Sequence, residues 1–236
     1  RVYAIVSDGD LMEGVASEAA SLAGTLALGK LVYLYDDNKI SIDGSTDLTF
    51  RDNVPDRFRA YGWHVAGPVD GNDLGAIEAA IKAGRDETSR PSLVVVRTTI
   101  GYGAPQKAGT AAAHGAPLGD DEIAGARARL GWRHPPFEVP ADIYSHMMGA
   151  VDRGERAQKD WQARLEAYRA AHPELADALV RDLNGDLQEG WEQGLDALRG
   201  SFTAPVATRS VSGRSLGALT AKVPALVGGS ADLAES

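Results

Sequence analysis

The 236-residue sequence contains no cysteine, which excludes disulfides, thiolate metal ligands and a cysteine nucleophile. No apolar run approaches the roughly 20 residues of a membrane-spanning helix, so no membrane partner is expected. No basic excess is present either. Against 24 Lys and Arg stand 33 Asp and Glu, for a net charge of −9, and general nucleic-acid binding wants the opposite balance. A phosphorylated substrate is not excluded, because a few placed cations suffice for one. There is no internal repeat and no signal peptide. Arg1 opens directly on the first strand-like run, so the sequence reads as an internal fragment and leaves targeting open.

What is present is a hydrophobic content of 44%, enough for a real core in one large domain or one and a fraction. The first hundred residues alternate strand and helix. Strands are expected at Val2–Val6, Leu31–Tyr35, His64–Val69 and Leu93–Thr98, and helices at Leu11–Leu28, Val54–Tyr61 and Leu74–Thr88, the last capped by Asp73. This alternation predicts an α/β fold with a parallel sheet and helices on both faces. Helix 11–28 is rich in Ala and Gly, which fits close packing either against a partner subunit or inside the core. Residues 100–119 form a long Gly/Pro/Ala-rich loop, a length that is usually functional. A helix over 120–131, capped by Asp120 or Asp121, comes next. Residues 141–198 are charged and helical, with Trp161, Tyr168, Leu179, Leu183 and Trp191 as apolar anchors. A helix at Ser212–Thr220, a short strand at Ala225–Val227 and a second glycine turn, GGSADL, close the chain.

The chemistry lies in the turns. Asp8 ends the first strand, and the second runs into Asp36-Asp37-Asn38. Neighbouring strand ends in a parallel sheet lie about 5 Å apart, so Asp8 and Asn38 can converge on one cation. Carboxylate, amide and carbonyl oxygens are hard ligands that suit Mg²⁺ or Ca²⁺. Gly9, at a helix start, can bring its N–H close to a phosphate. Taken singly, such an Asp is more often a helix cap than a ligand, and the pairing with Asn38 at consecutive strand ends reverses that preference.

An acidic glycine turn followed, across residues 10–36, by an Asn-bearing turn resembles the thiamine diphosphate signature. LMEG, SEAASLAGTLALGKL, YDDNKISIDG, YGWHV, PSLVVVRTTIGYG, KAGT, HGAPLG and GGSADL, in that order, are similar to the transketolase family. The likeness runs from residue 2 to residue 236 and is thinnest between 134 and 205. It implies a two-carbon ketol transfer from a ketose phosphate to an aldose phosphate, with thiamine diphosphate and Mg²⁺ or Ca²⁺ as cofactors. It implies Asp8, Asn38 and the Ile40 carbonyl as metal ligands, Gly9 and Asn38 on the cofactor diphosphate, and Ile42 near the thiazolium. His114 matches a histidine that contacts cofactor and donor sugar. Arg209 and Ser230 match groups on the sugar phosphate, and Asp232 a position near the pyrimidine. Glu13 and Glu18 match acidic residues of an interface network between two subunits, although carboxylates in a first helical turn are also stabilised by the helix dipole alone. A cytoplasmic homodimer acting in the pentose phosphate pathway is implied.

The same likeness divides the chain into a diphosphate-binding domain at 1–180, a linker at 181–205 and the start of a pyrimidine-binding domain at 206–236. It also implies upstream histidines and a downstream glutamate beyond these residues, so the chain alone is expected to be inactive. A dihydroxyacetone synthase-like or deoxyxylulose-phosphate synthase-like enzyme and a non-catalytic cofactor-binding subunit are the alternatives. ISIDG and HGAPLG argue against the deoxyxylulose enzyme. Ser7 stands where the family has glycine, which fits only if that backbone position avoids positive φ. Ala111-Ala112-Ala113 replaces the polar residues that precede the family histidine. His64, His134, His146 and His172 carry no motif and read as structural or surface residues.

Overall fold

The structure is a computed structural model that describes residues 1–230. It divides into two units, Arg1–Glu138 and Val139–Ser236. In the first, strands β1 (Val2–Ser7), β2 (Leu31–Asp37), β5 (His64–Asp70) and β6 (Ser92–Arg97) form a parallel sheet in the order β1-β2-β6-β5. A two-residue antiparallel pair, β3 (Ile40–Ser41) and β4 (Gly44–Ser45), projects from the end of β2. Helices α1 (Asp8–Met12), α2 (Gly14–Thr25), α3 (Val54–Ala60), α4 (Leu74–Asp86) and α5 (Asp120–Arg129) complete the unit.

The central strands β2 and β6 are covered on both faces, as their apolar residues require. On one face Leu11, Ala20, Ala23, Val54, Phe58 and Trp63 pack on Tyr35, Leu93 and Val95. On the other, Ala80 of α4 packs on Val32, Val94 and Val96. Phe58 and Trp63 meet edge to face at 5.0 Å, and the Trp63 indole N–H donates to Ala20 O at 2.8 Å, so α2 is both packed and hydrogen-bonded onto the core. Asp73 caps α4 as expected, accepting from Ala76 N at 2.9 Å.

Three expectations are corrected. The single helix over 11–28 is two helices, because Glu13 is extended (φ −66°, ψ 135°) and α2 begins at Gly14. The helix after the long loop is capped by Gly119 at φ 93°, and Asp120 and Asp121 lie in its first turn, where carboxylates favour the helix dipole without capping. Ala225–Val227 is not a strand. Among the described residues no strand runs beside that short apolar run to supply a hydrogen-bonding ladder.

The second unit is helical, with α6 (Ala141–Ala171), α7 (Pro173–Asn184), α8 (Gln193–Arg199) and α9 (Thr208–Thr220). Trp161 and Tyr168 of α6 meet Leu179 of α7 around a shallow apolar hollow. Tyr168 and Trp132 hold His172 and His134 in ring contacts at 5.3 and 5.1 Å, and His64 pairs with Ser92 Oγ at 3.1 Å, in keeping with structural roles. His146 is exposed.

Candidate functional site

The carboxyl ends of β1 and β2 open onto a cleft of about 480 Å³, within the range of small-molecule and cofactor sites. Gly9, Glu13, Asn38, Ile40, Ile42 and His114 all line it. They come from four separate stretches of chain: the start of α1, the junction before α2, the β2–β4 turn region and the 100–119 loop.

At the floor, Ser7 is the cap of α1 at φ −109°, a conformation any residue adopts, so serine is accommodated where the family has glycine. Asp10 Oδ2 accepts from Ser7 N at 2.7 Å and from Ser7 Oγ at 2.9 Å, which fixes the strand-to-helix turn. Asp8 is therefore the first residue of the helix and not its cap. Its side chain is fully buried. Oδ1 accepts from the Tyr35 hydroxyl, and Oδ2 accepts from Lys39 N at 2.8 Å. Lys39 reaches it from a left-handed backbone conformation, φ 64°, that costs a non-glycine residue about 1 kcal/mol or more. The turn after β2 is thus bent onto the turn after β1.

Asn38 is oriented by two bonds. Its Oδ1 accepts from Ile40 N at 2.9 Å, and its Nδ2 donates to Asp36 Oδ2 at 3.2 Å. Thr98 Oγ1 donates to Asp36 Oδ1 from the neighbouring strand end. Asp37, also buried, is paired with Lys39 Nζ at 2.7 Å and Arg97 at 3.2 Å. Asp8 has no such partner: among the described residues no Lys, Arg or His nitrogen lies within ion-pair distance of it. A buried carboxylate held only by neutral donors is a costly arrangement unless a cation joins it. The donor set of Asp8 carboxylate, Asn38 amide oxygen and Ile40 carbonyl fits a hard divalent ion in its chemistry. No cluster of three or more His, Cys, Asp or Glu side chains suited to a metal is found among the described residues.

Tyr35 is the residue that sequence reasoning passed over. Its buried hydroxyl donates to Asp8 and lies 3.3 Å from Asp37 Oδ1. Burial, followed by the hydrogen bond and charge of Asp8, pushes its pKa well above the ordinary value of 10, so it stays a donor. The signal was available, because residues i and i+2 of a strand share a face and LYDD therefore sets Tyr35 beside Asp37.

Ile42, at the β3–β4 turn, is 73% exposed and offers the cleft an apolar wall. His114 is exposed at its rim. Glu13 lines the cleft, whereas Glu18 faces a separate surface hollow with Ser21, Leu22 and Tyr61. Arg209, in the first turn of α9, and Ser230 belong to the second unit, and both are exposed. Asp232 lies outside the described residues.

A family model for the transketolase thiamine diphosphate binding domain matches residues 1–188. Transketolase 2 of Escherichia coli is 48% identical over 237 residues, covering 99% of this chain. The plasmid-encoded transketolase of Cupriavidus necator is 51% identical over 239 residues, covering all of it. The chain spans about a third of the length of these curated relatives, 35% and 36%. Among solved structures, transketolase from Leishmania mexicana superposes with a TM-score of 0.88 at 38% identity, covering 99% of this chain and 34% of that one. A Pichia stipitis transketolase in complex with sedoheptulose 7-phosphate superposes with a TM-score of 0.86 at 40% identity, covering 99% and 35%.

Proposed function

Because this chain belongs to the transketolase family through its thiamine diphosphate-binding domain, we propose that it supplies the diphosphate end of the cofactor site in an enzyme that moves a two-carbon ketol unit between sugar phosphates. The observation that carries the reading is the convergence of Gly9, Asn38, Ile40, Ile42 and His114 on one cleft, with the buried Asp8 carboxylate bonded to Lys39 N in the same turn. The names of the relatives favour transketolase over a dihydroxyacetone synthase, a deoxyxylulose-phosphate synthase or a non-catalytic subunit.

In this reading Asp8, Asn38 and the Ile40 carbonyl hold Mg²⁺ or Ca²⁺. Gly9, without a side chain, lets the diphosphate approach the backbone, and Asn38 contacts it. Ile42 supports the thiazolium, and His114 donates to the diphosphate and to the donor sugar. When bound, thiamine diphosphate supplies the carbon nucleophile of the reaction. Arg209 and Ser230 bind the sugar phosphate, the guanidinium through a bidentate contact. Glu13 and Glu18 form the network between two subunits of a homodimer. The finer domain division (1–180, 181–205 and 206–236), the cytoplasmic setting and a role in the pentose phosphate pathway belong to the same proposal.

The test uses the full-length protein. Asp8→Ala is expected to abolish metal-dependent thiamine diphosphate binding in calorimetry and transfer from xylulose 5-phosphate to ribose 5-phosphate in a coupled assay. Cofactor binding with unchanged metal dependence in that variant would remove Asp8 from the site.

A further inference from the structure

The loop that carries His114 leaves β6 and returns at α5, and its two feet are fastened by one pair of charged side chains. Glu122, in the first turn of α5, points back across the loop. Its carboxylate accepts from Gln106 N at 3.1 and 3.2 Å and from Lys107 N at 3.1 Å. Lys107 points the other way. Its ammonium donates to Leu118 O at 2.7 Å and Pro117 O at 3.3 Å, the carbonyls just ahead of the helix. Each residue spends its charge on the backbone of the opposite foot. Among the described residues neither is in an ion pair, and both are half-buried. Solubility does not require this arrangement, because solvated charges would serve as well.

Between the feet, short local bonds fix the span. Gly109 N donates to Ile100 O at 2.8 Å, Thr110 Oγ1 to Lys107 O at 2.8 Å and His114 N to Ala111 O at 2.9 Å. With Ala111-Ala112-Ala113 ahead of it, His114 has no polar side-chain neighbour in the preceding three residues to hold it. Its placement in the cleft falls to the backbone and hence to the feet. Helix α5 is itself seated tightly, since a β-carbon at Gly125 would lie 2.2 Å from Pro105 Cγ.

We propose that Lys107 and Glu122 are positioning residues, a reciprocal clamp that holds the 106–118 loop so that His114 faces the cofactor cleft. This rests on the reading of His114 given above. A charge-assisted bond of this kind, once lost, corresponds to about 10- to 100-fold in the population of the closed loop.

The experiment uses the full-length protein. Hydrogen exchange is followed at the amides of Gly109, Thr110, Ala113 and His114, beside kcat/KM for ketol transfer. Lys107→Met and Glu122→Ala are each expected to speed exchange at those four amides about 10- to 100-fold, with the β2 and β6 amides unchanged. Both variants should lower kcat/KM, and Lys107→Arg should recover most of the loss. Adding Lys107→Met to His114→Asn is expected to cost little more than His114→Asn alone, because the two act through one group. Unchanged loop exchange in both clamp variants would overturn the proposal, and so would fully additive losses in the double variant. Wild-type kcat/KM in His114→Asn would instead overturn the reading of the cleft, and the exchange data would then decide the clamp alone.

Discussion

A β-carbon added at Gly9 would meet nothing nearer than Ser7 Oγ at 3.9 Å. The protein's own packing therefore does not demand glycine there, and Gly9 is not in the left-handed region. The cleft is what remains to demand it. Gly9→Ala is expected to leave stability unchanged or raise it by about 0.5–1 kcal/mol, the usual gain within a helix. It should weaken thiamine diphosphate binding in the full-length protein, as calorimetry beside thermal unfolding will show, and unaltered affinity would detach Gly9 from the diphosphate. A second residue-scale case concerns pH. The Ser89 hydroxyl and then the Ser89 amide, both bonded to Glu87, lower its pKa from 4.5 to about 2, with Arg90 contributing less. Because the folded value is depressed, the stabilisation is complete above the ordinary 4.5 and disappears as pH falls through about 2. A carboxyl NMR titration should find the Glu87 midpoint near 2, and Ser89→Ala should move it back towards 4.5. At this scale the placement of Asp8, Gly9 and Asn38 at neighbouring strand ends was legible, since polar and glycine residues that end an apolar run announce a turn. Tyr35 was legible only in sharing a strand face with Asp37, since its bond to Asp8 crosses 27 positions, and Lys107 and Glu122 were not legible, because their contacts cross 10 to 16 positions of a loop with no period.

Among the elements, α2 shows where a correct period can mislead about direction. Leu11, Val15, Leu22 and Leu26 recur at helical spacing, yet only Leu11 is buried, and it belongs to α1. The face turned inward carries Ala20, Ala23 and Gly24. The reason is distance. A β-carbon on Gly24 would sit 1.8 Å from Tyr61 O, so the backbone of α2 has approached the end of α3 as closely as glycine allows. Ala20, Ala23 and Gly24 thus realise packing inside the core, while Ala19 and Ala27 are exposed on the face that a partner subunit would meet. Gly24→Ala is accordingly expected to destabilise by about 1–3 kcal/mol or more, since the obstruction is backbone that cannot rotate away. Chemical denaturation will measure it, and a neutral outcome would mean that α2 can slide. The four strands of the parallel sheet were the most legible elements, because each is built around a short apolar run and lies within two residues of its expected ends. The break at Glu13 was not legible, since a single extended residue leaves the apolar spacing almost intact.

At the scale of the whole molecule, the parallel sheet with helices on both faces follows the alternating pattern. The strand order does not, because pairing is a long-range choice that no local period encodes. That order leaves β1 at an edge of the sheet, with β2 on one side only. Edge strands are usually guarded by charge, proline or a covering segment. β1 has none of these within Val2–Ser7, and Val2, Tyr3 and Ile5 are exposed, Ile5 to 78%. Val15, Leu22 and Leu26 of α2 are exposed as well. A chain that spans about a third of its relatives' length while presenting this much apolar surface is expected to self-associate when isolated, whatever its net charge of −9 contributes to repulsion. The β1 edge is the contact that backbone hydrogen bonding strengthens, and a lysine there opposes strand addition directly. Ile5→Lys should therefore shift the isolated 236-residue chain towards monomer in sedimentation velocity. Its thermal midpoint should hardly change, because substitutions at so exposed a site usually stay within about 0.5 kcal/mol. If the isolated chain is monomeric at tens of micromolar, the edge is protected by something other than its own sequence. If it associates and Ile5→Lys makes no difference, the contact runs through the exposed face of α2 instead, and Leu22→Glu should dissolve it.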